Sequence, residues 1–89
     1  MDASERFGEN VLRIRQARKL SQESLAEQAR VHRTQITLIE TGRRQPRIAT
    51  VLRLAGALEV SMDSLFDGIR WEPKTGEFRV EDPPELPRV

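Results

Sequence analysis

The stretch from Ser21 to Gly42, SQESLAEQARVHRTQITLIETG, constrains the fold more than any other part of the chain. Leu25, Ala26 and Ala29 recur at the three-to-four spacing of an amphipathic helix, and Ile36 and Ile39 repeat it further on, with Val31 between them as an apolar plug. Ser21 is placed to give its hydroxyl oxygen to the free amides of a first helical turn. Gly42 can take the left-handed conformation that ends a helix. The pattern predicts two short helices joined by a tight turn. On the second, the face away from the isoleucines carries His32, Arg33, Thr34, Gln35, Thr37 and Leu38. Arginine offers two donors to a guanine edge, glutamine pairs with adenine, and threonine brings both a hydroxyl and a methyl. The same residues would equally serve as a solvated polar face.

What surrounds this pair is small. Eighty-nine residues make one domain, near the size at which a single core suffices, and leave little room for a buried catalytic cleft. With no cysteine and only His32 as histidine, neither a disulfide framework nor a histidine or thiolate metal site can be built, and no cofactor is expected. Glu23 and Glu27 share a helix face but have no neighbours with which to form a catalytic site, so the chain is not expected to be an enzyme. No apolar run approaches a membrane span, and the N-terminus lacks the pattern of a signal peptide, so a cytoplasmic protein is expected. The net charge is only +1, but Arg30, Arg33, Arg43, Arg44, Arg47 and Arg53 face Glu40 alone in the intervening sequence. That local basic patch coincides with the second helix.

In chain order, Phe7, Val11 and Ile14 mark a first helix from about Ser4 to Lys19, mainly scaffold. A fourth helix is expected from Ile48 to Glu59 with Val51, Leu52, Leu54, Ala55 and Leu58 inward, and Ser61 caps a fifth through Phe66. After Gly68 the pattern changes to two alternating runs around Pro73-Lys74-Thr75-Gly76, a four-residue turn with glycine where a positive φ is needed. Pairing Trp71 with Phe78 also sets Ile69 opposite Val80 and collects every apolar residue on one face. Residues 69–81 therefore read as a β-hairpin, and 82–89, with three prolines and alternating acids, as a loose tail.

LSQESLAEQARVHRTQITLIETGRRQP resembles the core of the phage-repressor and Cro-like helix-turn-helix domains, the XRE family. The resemblance runs from about Phe7 to Phe66 through Val11, Ile14, Arg15, Leu20-Ser21-Gln22, Leu25-Ala26, Ile36, Ile39-Glu40, Gly42, Pro46, Leu54-Ala55, Leu58, Val60 and Leu65. The chain departs from it at Arg30, where the family usually has the turn glycine, at His32, often a capping Ser or Thr, and at Leu12, often basic. The resemblance implies an all-α, five-helix, lambda-repressor-like domain over residues 1–68, followed here by the hairpin. It implies a sequence-specific transcriptional regulator, most simply a repressor, with a recognition helix at about 33–41 in the major groove of double-stranded DNA. Base contacts are then expected from His32, Arg33, Thr34, Gln35, Thr37 and Leu38, and backbone contacts from Gln22 and Arg43. Arg15 and Glu40 are expected to form a structural ion pair.

A single small reading helix touches few base pairs, so a homodimer on a palindromic operator is expected. A lone hairpin is marginal in water, so Ile69, Trp71, Phe78 and Val80 need a covering surface: they are the candidate dimer surface, with Leu12 contributing to the patch that receives Trp71, and the alternative is that the hairpin folds back on its own helices as a lid. An antitoxin-like interaction module, binding a protein partner through its acidic proline-rich tail, is the alternative reading.

Overall fold

A computed structural model of the chain describes residues 1–81. Five helices, α1 (Ala3–Ala17), α2 (Gln22–Ala29), α3 (Arg33–Glu40), α4 (Ile48–Leu58) and α5 (Met62–Leu65), are followed by the strands β1 (Ile69–Glu72) and β2 (Glu77–Val80). The tail expected at 82–89 lies outside the described residues, and with it the partner surface of the alternative reading.

Local chemistry sets most of the boundaries. Asp2 starts α1 with a reciprocal capping box, its carboxylate accepting from the Glu5 amide at 2.8 Å and Glu5 accepting from the Asp2 amide at 2.9 Å. The Ser21 hydroxyl accepts from the Ser24 amide at 2.9 Å and starts α2. Gly42, at φ 76°, closes α3, with its own amide bonded to the Ile39 carbonyl and that of Arg43 to the Leu38 carbonyl. Ser61 holds the N-cap position of α5, but its hydroxyl pairs with that of Ser64 and not with an amide.

The apolar stripes of α1 to α5 meet in one core: Phe7 and Val11, Leu25, Ala26 and Ala29, Ile36 and Ile39, Val51, Leu54, Ala55 and Leu58, and Leu65, with Val31 packed against it. Leu52, expected inward, is exposed. It lies about 100° around α4 from Val51, beyond the arc that the other four residues occupy.

Two features of α1 fix how the elements sit. Gly8 is buried where α1 crosses the end of α3, and a Cβ there would overlap the Ile39 carbonyl oxygen and come within 2.9 Å of that of Glu40. Asn10, also buried, donates from Nδ2 to the carbonyls of Leu65 and Asp67, both at 2.9 Å, and accepts from Arg13, so it holds the end of α5.

The strands pair antiparallel in the register Ile69↔Val80, Arg70↔Arg79, Trp71↔Phe78, Glu72↔Glu77. Gly76 takes φ 70° in the turn, and the base is closed by the Glu81 amide donating to the Gly68 carbonyl at 2.8 Å. Arg6, only 3% exposed, reaches under that base and donates through Nη2 to the Glu81 carbonyl. Gly68, at φ 81°, leaves the space its guanidinium fills.

Candidate nucleic-acid interface

The geometry of α3 is set from behind. Glu40, near its C-terminus, accepts from Arg15 of α1 through both oxygens, Nε to Oε2 at 2.6 Å and Nη2 to Oε1 at 3.1 Å. The two side chains are 12% and 4% exposed, so the pair is largely desolvated. Arg15 also donates from Nη1 to the Leu20 carbonyl at 2.9 Å. Gln22, the first residue of α2, donates from Nε2 to Glu40 Oε1 at 2.9 Å and accepts from the Thr37 hydroxyl at 3.3 Å. A single chain of hydrogen bonds thus ties α1, α2 and α3 together and ends on the outer face of α3. Its terminal atoms reach an exposed residue, so disturbing the buried pair also disturbs the surface.

The six expected base-contact residues do not all point one way. Arg33, Thr34, Thr37 and Leu38, at i, i+1, i+4 and i+5, line one shallow surface on the outside of α3. His32 and Gln35 instead open onto a separate cleft toward α4. The cause is the helical repeat: once Ile36 and Ile39 are turned to the core, residues 32 and 35 fall on its α4 side. His32 stands at the N-cap of α3, yet its side chain caps nothing.

Arg33 lies 3.6 Å from Glu23 of α2 in an exposed pair, which holds the guanidinium only weakly and leaves it available. Gln22, expected to contact the backbone through its side chain, has that side chain engaged with Glu40 and Thr37. The second hydrogen of Nε2 and the first-turn amides of α2, at the positive end of the helix dipole, are left for a phosphate. Arg43, in the loop after Gly42, is exposed and carries no ion pair among the described residues.

Arg30, standing where a turn glycine is usual, takes the left-handed conformation itself, φ 57° and ψ 47°, so the tight turn forms without glycine. The following Val31 amide then bonds back to the Ala26 carbonyl at 3.0 Å. Among the described residues no group of His, Asp and Glu is placed to hold a metal ion, and no helix is long and apolar enough to cross a membrane.

The profile of the helix-turn-helix family HTH_3 matches residues 11–65. The chain is 42% identical over 65 residues to control protein C.SmaI of Serratia marcescens, which covers 73% of this chain and 77% of that protein. It is 34% identical over 62 residues, 70% of its length, to the uncharacterized HTH-type transcriptional regulator YqaE of Bacillus subtilis (strain 168), of which it spans about half, 53%. Among solved structures, the restriction-modification controller protein C.AhdI from Aeromonas hydrophila superposes with a TM-score of 0.68 at 34% identity, over 70% of this chain and 94% of that one. The P22 c2 repressor in complex with a synthetic operator does so with a TM-score of 0.65 at 29% identity, over 70% and 94%. The matched span runs from Val11 to Leu65 and contains the network from Arg15 through Glu40 and Gln22 to Thr37, and the chain belongs to the helix-turn-helix family HTH_3 of DNA-binding transcription regulators.

Proposed function

We propose that the chain reads a specific operator in double-stranded DNA, with α3 in the major groove and α2 across the backbone, and represses transcription there. The observation that carries this reading is the exposed face of Arg33, Thr34, Thr37 and Leu38 on a helix locked from behind by the Arg15–Glu40–Gln22 network. A rigidly held helix with a mixed donor, acceptor and methyl surface has what direct readout requires. Arg33 is assigned to a guanine, Thr34 and Thr37 to base edges and Leu38 to a thymine methyl. Arg43 and the first turn of α2 at Gln22 are assigned to phosphates, and His32 and Gln35 to the rim of the groove. Selecting bound fragments from random duplex DNA tests the assignment: a defined consensus is expected, and recovery of unrelated fragments would overturn it.

The operator is proposed to be palindromic and the protein a homodimer joined through the hairpin. Trp71 and Phe78 stack edge to face at 5.1 Å and remain 55% and 60% exposed. Ile69 packs against the helical core and Val80 is half-buried, so the outer half of the hairpin offers the uncovered surface. Beside it runs an apolar groove of about 280 Å³ lined by Phe7, Ile48, Met62, Phe66 and Phe78. Leu12 is half-buried on α1 and does not line it. Groove and aromatic pair adjoin on one patch, as a two-fold interface that meets its own copy needs. Sedimentation of the full chain decides: Trp71→Ser with Phe78→Ser should turn a dimer into a folded monomer, and an unchanged dimer would place the interface elsewhere.

A further inference from the structure

The charges of the hairpin are arranged in a way that an isolated hairpin does not favour. Arg70 lies across from Arg79 and Glu72 across from Glu77, and like charges directly opposite weaken a ladder. Along each strand, however, the signs are antisymmetric about an aromatic residue: Arg-Trp-Glu in β1 and Glu-Phe-Arg in β2. Paired antiparallel with its own copy, such a strand sets each charge against its opposite. The backbone leaves an edge for that. The Glu81 amide bonds the Gly68 carbonyl, which makes Gly68 and Glu81 a hydrogen-bonded pair and, by alternation, Arg70 with Arg79 and Glu72 with Glu77 as well. Ile69, Trp71, Phe78 and Val80 therefore aim their amides and carbonyls outward, at the two edges of the sheet.

The two edges are not equally free. In β1, Arg70 is 3.1 Å from the Glu81 carboxylate, Glu72 accepts from the Lys74 amide at 3.0 Å, and the Ile69 amide donates to the Phe66 carbonyl. The next outward position beyond Trp71 is Pro73, which has no amide to give. In β2, Glu77, Phe78 and Arg79 are all exposed, and among the described residues neither charge is in an ion pair. We propose that β2 pairs antiparallel with β2 of a second copy about a two-fold axis beside Phe78, joining the two hairpins into one continuous sheet. Phe78 then exchanges backbone hydrogen bonds with Phe78 of the second copy. Glu77 of each chain stands opposite Arg79 of the other, at sites without backbone bonds, where side chains approach most closely. A hairpin that is marginal alone gains the further strands that a stable sheet requires. This rests on the hairpin being what joins the homodimer; the strand, the register and the charge pairs are new.

Sedimentation of the full chain, at concentrations that bracket the wild-type dimer, tests the pairing. Arg79→Glu favours the hairpin itself, because it sets opposite charges across from Arg70, yet it should break the dimer by facing each Glu77 with another carboxylate. The dissociation constant is expected to rise at least about tenfold. Adding Glu77→Arg to the same chain exchanges the two signs, restores opposite charges across the axis and should return association to the wild-type level. Arg70→Glu makes the same repair across the hairpin but alters β1 only, and should leave the dimer unchanged. An undisturbed dimer with Arg79→Glu, no rescue by the exchange, or a loss confined to Arg70→Glu would overturn the edge pairing. If Trp71→Ser with Phe78→Ser separates the copies while Arg79→Glu does not, the hairpin interface stands and only this pairing falls. A wild-type chain that is monomeric throughout would remove both.

Discussion

In the helical body, twelve apolar side chains are at most 7% exposed, whereas in the hairpin Trp71 and Phe78 keep more than half of their surface in water. The polar groups divide the same way. Within the body, Asn10 uses both ends of its amide, and Arg15 and Glu40 satisfy each other in a forked pair. Under the hairpin, and among the described residues, Arg6 makes one hydrogen bond, to Glu81, and the nearest carboxylate, that of Glu9, is 3.5 Å from Nε. Its Nε and Nη1 are buried without a hydrogen bond among the described residues. On the outer face of the strands, Arg70 lies opposite Arg79 and Glu72 opposite Glu77, pairings that oppose the ladder they belong to. The body closes on itself. The hairpin is held at its base, and its outer aromatic pair stays in water.

The most severe way to break this contrast is to open the body from inside. Glu40→Ala would leave the Arg15 guanidinium largely buried without its countercharge and free the Gln22 amide, and should cost about 3–5 kcal/mol in urea unfolding. A loss under about 0.5 kcal/mol would mean that the pair behaves as a surface contact. Gly8→Ala comes next. The methyl would collide with backbone atoms of α3, which cannot rotate away, so a loss of about 2–3 kcal/mol is expected at the overpacking limit. A neutral result would show that α1 can lift from α3.

The hairpin should respond on a smaller scale. In dilute protein, Trp71→Ser with Phe78→Ser should change the melting of the helical body by no more than about 0.5 kcal/mol. Amide exchange in β1 and β2 should meanwhile run well ahead of exchange in α1 and α3, because few buried contacts protect the strands. If body and hairpin exchange together, they are one cooperative unit and the contrast fails. Arg79→Glu would set opposite charges across from Arg70 and should slow exchange in the strands by an amount worth about 0.2–1 kcal/mol. Faster exchange would show that the like-charged pairs are not what weakens the ladder.

Much of this was legible in the residues because the signals are local or periodic. The stripes in α1 to α3, the serine before α2, Gly42 after α3 and the hairpin register all follow from spacing and turn chemistry, and the structure has the helices and the strand pairing that they imply. What was not legible depends on which element crosses which. Leu52 is as apolar as Leu54, and only the direction in which α4 packs tells them apart. In sequence His32 and Gln35 are equivalent to Arg33 and Thr34, and only the packing of α4 beside one flank of α3 separates them. Arg6 and Asn10 sit beside the stripe of α1 with no mark in the sequence of their burial, since the carbonyls they bond lie 75 and 55 residues away. Gly8 did carry a usable signal: a glycine inside a helix costs about 1 kcal/mol against alanine, and a close approach of another backbone is a common reason for it.

The bond between Thr37 and Gln22 also settles a question of direction. The Thr37 hydroxyl points its hydrogen inward, toward Gln22 Oε1 or the Arg33 carbonyl, so what remains outward is a pair of acceptor sites and a methyl group. In the major groove, acceptors are matched by the amino groups of adenine and cytosine, and a methyl is matched by thymine, whereas a guanine edge offers only further acceptors. Were Thr37 to meet a base, as proposed, it would then do so as an acceptor and not as a donor. On the proposed reading, the bases that Thr37 could face would be narrowed by a glutamine that need never touch one.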